Sequence, residues 1–144
     1  METEHYFTLL LAFVELKTGK VSLAQAGHPH PVVQRNDGDI EQNGCGGFPV
    51  GLISGITFEE CEFTLRKGDR LIIVSDGVTE CPDPSGELLD DEGFAALVQR
   101  NADVGTKDFF EALVWDLTDY AGDMNFPDDV SGVLFEYSGQ VDFK

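Results

Sequence analysis

RLIIVSDGVTE, residues 70–80, drives four consecutive apolar residues into a serine, an acidic residue and a glycine. The apolar run reads as a buried strand. Its end has two readings. An Asp-Gly pair after a strand is most often a tight turn, because aspartate bonds its own neighbouring backbone and glycine tolerates unusual dihedrals. The same pair at a rigid strand tip is also suited to hold something positive: the strand fixes Asp76, and Gly77 lets another group approach closely.

Strand and turn signals surround this stretch. Residues 7–16 and 21–26 are joined by Lys17-Thr-Gly-Lys20 and read as a hairpin. The apolar run at 7–14 lacks a basic flank and is far too short to span a bilayer, so it is expected to be a buried central strand. Residues 31–35 form a short strand closed by Asn36-Asp-Gly-Asp39, and residues 43–51, rich in glycine, form an irregular loop. Residues 57–65 alternate as a half-buried strand, and Lys67-Gly-Asp69 turns the chain into residues 70–75. Tight turns between so many strands favour antiparallel pairing.

The period changes in the second half. Phe94, Leu97 and Val98 share a helical face, with Asp90, Asp91 and Glu92 complementing the dipole of the first turn. Phe110, Leu113, Val114 and Leu117 place a second helix over 106–120, with Thr106 as N-cap and Gly122 as stop signal. Trp115 within it is expected to pack in the core. A last strand spans 130–137. Strands, then helices, then a closing strand predict an α+β fold, an antiparallel sheet with helices on one face.

The chain has 144 residues, the size of one domain. Nine basic against 27 acidic residues leave a net charge of −18. Such a surface repels phosphate backbones and anionic lipid, which argues against nucleic-acid and membrane partners and suits cations or basic ones. Cys45, Cys61 and Cys81 are odd in number and have no C-x-x-C spacing, so a reducing cytoplasm is expected rather than a disulfide framework or zinc site.

A second acidic point, Phe126-Pro-Asp-Asp-Val-Ser131, precedes the last strand. Mg²⁺ and Mn²⁺ prefer oxygen ligands, and because magnesium keeps several waters, one or two carboxylates per ion suffice. Successive side chains of an extended segment point opposite ways, so only one of Asp128 and Asp129 is expected to face a given ion. An EF-hand starting at Asp76 fails, since Val78 and Cys81 occupy ligand and glycine positions. His28 and His30, two apart in Gly27-His-Pro-His-Pro31, read as a proline-stiffened loop before they read as metal ligands. Neither a nucleophile elbow nor a phosphate-cradling glycine pattern occurs.

Taken together, AGHPHPVVQRNDGDIE, GGFPVGL, LRKGDRLIIVSDGVTECPDPSGELL and PDDVSGVLF follow the order seen in bacterial SpoIIE-type serine phosphatases. These belong to the metal-dependent PPM class, which resembles protein phosphatase 2C. The resemblance runs from about Phe7 to Phe135. It implies an antiparallel β-sandwich flanked by helices and a two-ion Mn²⁺ or Mg²⁺ site at one end. By motif it makes Asp76 and Asp128 catalytic metal ligands, with Asp129 the less favoured ligand; Thr79 and Glu80 match without a defined role. Gln25 departs from the asparagine usual before Ala-Gly-His. The family's earlier strand pair, with its further metal aspartates, has no counterpart before Met1. The expectation is therefore that residues 1–144 are the C-terminal portion of a SpoIIE-type phosphatase domain, N-terminally incomplete and inactive alone.

The implied activity is hydrolysis of phosphoserine on a regulatory protein such as an anti-sigma-factor antagonist. The implied setting is the output of a response regulator, behind a receiver or sensor domain, with an exposed strand edge inviting a homodimer. The alternative is a non-catalytic adaptor domain of a response regulator that grips a sigma or anti-sigma pathway protein.

Overall fold

In the computed structural model, which describes residues 5–139, strand β6 (Arg70–Val74) is apolar throughout its interior because both of its faces are covered. Leu71 and Ile73 face one core with Val21, Val33, Leu65 and Tyr137. Ile72 and Val74 face another with Val32, Val78, Phe94, Phe109 and Leu117. A strand buried on one side alternates apolar and polar residues; one buried on both cannot.

The first core lies between two sheets. One orders β1 (Leu9–Val14), β2 (Lys20–Ala26) and β5 (Glu60–Thr64) as β1-β2-β5. The other orders β3 (Val32–Gln34), β4 (Ile40–Gln42), β6 and β7 (Gly132–Glu136) as β4-β3-β6-β7. All five strand pairings are antiparallel. The second core lies between the four-stranded sheet and the helices α1 (Asp76–Thr79), α2 (Asp90–Arg100) and α3 (Phe109–Ala121). The layers are thus sheet, sheet and helices: the sandwich flanked by helices that the family resemblance implies, where the residue pattern alone predicts one sheet with helices on one face.

Four local readings are corrected. β1 is an edge strand, not a central one: among the described residues it pairs only with β2, and Leu11 and Phe13 are 64% and 69% exposed. Its apolar residues on the outer side imitate double burial. α3 is turned slightly from the expected stripe: Leu113 and Leu117 are buried as expected, Phe109 is buried fully and Phe110 only partly against the same core, and Val114 lies on the outside. That rotation leaves Trp115 71% exposed rather than in the core. Thr106 does not cap α3; its hydroxyl donates to Glu136 Oε2 at 2.6 Å, and the residue before the helix is Asp108. Gly122, by contrast, ends α3 in the left-handed region (φ 71°), its N–H bonded to Thr118 O.

At the start of β6, a buried ionic clasp joins the two sheets. Asp69, 1% exposed, accepts from Arg35 Nη1 (2.6 Å) and the Arg66 N–H (2.7 Å) on one oxygen, and from the Asn36 N–H (2.9 Å) on the other. Arg35 also donates to Thr64 O of β5 (2.7 Å) and to Glu41 Oε2 of β4 (2.8 Å). Burial pushes the Asp69 carboxyl upward, but the Arg66 N–H, Arg35 and the Asn36 N–H outweigh it, and the group ends below its ordinary 3.8. A lowered carboxylate stabilises the fold fully above its unfolded pKa, and that contribution drains as pH falls through the lowered value. Asp69→Ala leaves the buried Arg35 without one of its two carboxylate partners and should cost about 3 kcal/mol at neutral pH. Urea titrations of both proteins at pH 7 and below pH 3 check this, with the difference between them shrinking at acid pH.

Candidate functional site

Four strand ends meet at the rim opposite the clasp. β6 delivers Ser75 and Asp76, and β7 begins at Gly132, the register partner of Val74. The start of β1 and the end of β2 arrive beside them, bridged between Leu9 and Gly27. Asp76 is not followed by a bare turn; it opens the single-turn helix α1.

The loop before β7 is stitched to this tip. The Ser75 N–H donates to Ser131 O (2.9 Å), the Ser131 N–H to Ser75 Oγ (3.0 Å), and the Ser75 hydroxyl to Asp129 O (3.0 Å). Gly77 is required for that closeness rather than for its dihedral freedom. A Cβ there would collide with the carbonyl of Asp129, with the Asp128 carbonyl next nearest. Residues 75–77 and 128–131, some fifty positions apart in sequence, therefore sit against each other.

The three aspartates differ in surroundings. Asp76 is half-buried, and its Oδ2 accepts a long hydrogen bond from the Thr8 hydroxyl (3.3 Å). Asp128 and Asp129 are exposed. Asp128 Oδ1 accepts the N–H of Asp129 (2.7 Å), which holds the Asp128 side chain against its own loop. Among the described residues no group of three or more His, Cys, Asp and Glu side chains is arranged to hold a metal ion. Asp76 thus sits on rigid backbone at the strand tip, with the loop that carries Asp128 and Asp129 held beside it.

The two histidines are engaged separately. His28 Nδ1 lies 2.9 Å from Pro29 O, and the ring lines a hollow of about 210 Å³ with Ser75, Ser131 and Gly132. His30 is 3.3 Å from Gln25 Nε2 through Nδ1, while its N–H donates to Asp91 Oδ1. Their segment lacks regular structure, as the prolines suggest.

Gln25 organises the neighbourhood. Buried at the end of β2, its Nε2 donates to His28 O (2.6 Å), and its Oε1 accepts the N–H groups of Cys45 (3.0 Å) and Gly46 (3.1 Å). One amide therefore fastens the glycine-rich loop to the segment carrying His28. In the sequence it shows only as a polar residue at an inward position of a strand and as a departure from the asparagine usual before Ala-Gly-His.

A sandwich of antiparallel sheets with helices outside is the fold of the protein phosphatase 2C type. The structure matches the PP2C phosphatase domain with a fragment of the regulatory domain of SpoIIE from Bacillus subtilis at a TM-score of 0.77 and 20% identity, over 96% of this chain and 40% of that one. It matches the RsbU and RsbW domains of Rv1364c from Mycobacterium tuberculosis at 0.72 and 23%, over 94% and 37%. It also matches a manganese-presoaked SpoIIE phosphatase domain from Bacillus subtilis at 0.68 and 19%, over 94% and 58%. The chain spans less than two thirds of each of these. No curated protein matches it significantly in sequence. The Stage II sporulation protein E (SpoIIE) family model matches residues 1–138, and the chain belongs to the SpoIIE family.

Gly77→Ala should pry residues 128–131 from the tip of β6 and cost about 1–3 kcal/mol through overpacking. Chemical denaturation measures the loss, and faster proteolytic nicking at 127–131 under native conditions locates it.

Proposed function

We propose that this chain is the C-terminal portion of a metal-dependent protein serine/threonine phosphatase domain. Its substrate class is phosphoserine on a regulatory protein of the anti-sigma-factor antagonist type. The observation that carries the reading is the approach of residues 128–131 to residues 75–77 around Gly77, within a fold and family of phosphatases.

Asp76 and Asp128 are the residues that would hold Mn²⁺ or Mg²⁺, with Asp129 as the lesser candidate. Bound there, divalent cations supply activation of a water nucleophile and neutralisation of phosphoryl charge. The chain's own residues do the positioning. Thr8 donates to Asp76 Oδ2 and so limits rotation of that carboxylate. The Ser75 hydroxyl and backbone hold the 129–131 backbone in place, and the Asp129 N–H fixes one oxygen of Asp128.

The wider setting follows the same reading. Three free thiols suit the cytoplasm, and among the described residues no helix is long and apolar enough to cross a membrane. The occurrence of phosphatase and regulatory domains together in the Bacillus structure supports a receiver or sensor module upstream, in a response regulator. The open edge of β1, with its exposed Leu11 and Phe13, supports a homodimer.

Manganese-dependent hydrolysis of p-nitrophenyl phosphate by the complete domain should fall by about 100-fold or more in Asp76→Asn, at least the upper end for residues that support a metal. Residues 1–144 alone should show no turnover. Undiminished hydrolysis in Asp76→Asn would remove the proposed ligand role. A complete domain without activity that still binds a sigma or anti-sigma pathway protein would make the domain an adaptor. Separately, sedimentation should show self-association weakened by Phe13→Glu, which places a charge on the open β1 surface.

A further inference from the structure

α3 gives one side to the core and leaves the other bare. Val114 is exposed on that outer side, Trp115 is 71% exposed, and Met124, just beyond the helix, is 74% exposed. With Phe110, Glu111 and Thr118 they line a groove of about 410 Å³. An indole left in water beside further apolar side chains is the composition of an interface centre rather than of ordinary surface.

The rim of this groove carries a single sign. Glu111 and Asp119 stand one turn to either side of Trp115, Asp123 adjoins Met124, and Asp108 opens the helix; all four are exposed. No lysine or arginine occurs between residues 108 and 139. Asp116, on a different side of the helix, is already paired with Arg100 at 3.4 Å and with Asn101 Nδ2 at 2.6 Å. The apolar floor is therefore bordered by carboxylates with no basic neighbour from this stretch of chain.

We infer that the outer face of α3 docks an amphipathic helix of another protein, one whose apolar side is flanked by lysine and arginine. Trp115 and Met124 take the apolar side, and Glu111, Asp119 and Asp123 meet the basic flanks. A second copy of this chain is disfavoured, because an isologous contact would set acidic rim against acidic rim between molecules of net charge −18. Anionic lipid is disfavoured for the same reason. The inference needs neither metal nor phosphatase activity, so it stands or falls apart from the proposed function.

Trp115 is the chain's only tryptophan, and its fluorescence reports on the groove directly. The probe is a synthetic amphipathic helix of leucine and lysine, compared with a serine–lysine peptide of equal charge and a leucine–glutamate peptide. The leucine–lysine helix should give a saturable blue shift, and the two controls none. By calorimetry, Trp115→Ala should bind that helix at least about tenfold more weakly, as expected of an interface anchor. Asp119→Lys should also weaken it, while Leu11→Ser in β1 leaves it unchanged. Equal binding of the serine–lysine peptide, or undiminished affinity in Trp115→Ala, would reduce the effect to bulk charge and overturn the inference. So would a blue shift that grows with protein concentration in the absence of peptide, which would assign the groove to a second copy.

Discussion

The central constraint is that β6 has no free face. With Leu71 and Ile73 turned to one core and Ile72 and Val74 to the other, the strand can carry polar chemistry only where it begins and ends. Backbone groups inside it are satisfied by β3 and β7 on its two sides. Whatever β6 contributes beyond packing is therefore exported to its two tips. The position of the candidate site follows from where the burial stops.

The two tips are finished in opposite ways. At the start, Asp69 is wrapped by an arginine and two backbone N–H groups, and the charge is neutralised inside the protein. At the end, Asp76 receives one long hydrogen bond from Thr8, and the neighbouring Asp128 and Asp129 face solvent. The first arrangement spends its charge on holding the sheets together. The second leaves its carboxylates at the surface, with few partners among the described residues. Both aspartates sit beside a glycine in turn-like sequence, yet one is enclosed by hydrogen bonds and the other is left half-buried with a single long one.

Much of the frame was legible because it rests on short-range rules. The hairpin joining β1 and β2, the continuous apolar β6 and the glycine stop of α3 each follow from a few adjacent residues. What escaped depends on neighbours distant in sequence. Leu9, Leu11 and Phe13 read as interior because composition cannot say which side of a strand is covered. The phase of α3 was ambiguous because Phe109 and Phe110 both fit an apolar stripe, and packing in the shared core buries Phe109 fully but Phe110 only in part. β4 is three residues long and too short to show a period. At the candidate site, the sequence marked Asp76, Asp128 and Asp129 but not Thr8, and it set Gln25 apart only as a departure from the family's asparagine, without its anchoring role. Gln25 acts through backbone groups of a loop twenty residues away, and Thr8 through a carboxylate sixty-eight residues away.

The pairing of β6 with β7 also has a kinetic side. Between them the chain leaves the sheet, builds α1, α2 and α3, and returns at Gly132. Hairpins such as β1–β2 close short loops, whereas this closure waits on a long helical excursion, and distant pairings are the slow ones. The rim shared by Ser75 and Ser131 is sealed only by that last return. A nascent or partly opened chain can thus hold most of its sandwich while its acidic corner is still in two pieces.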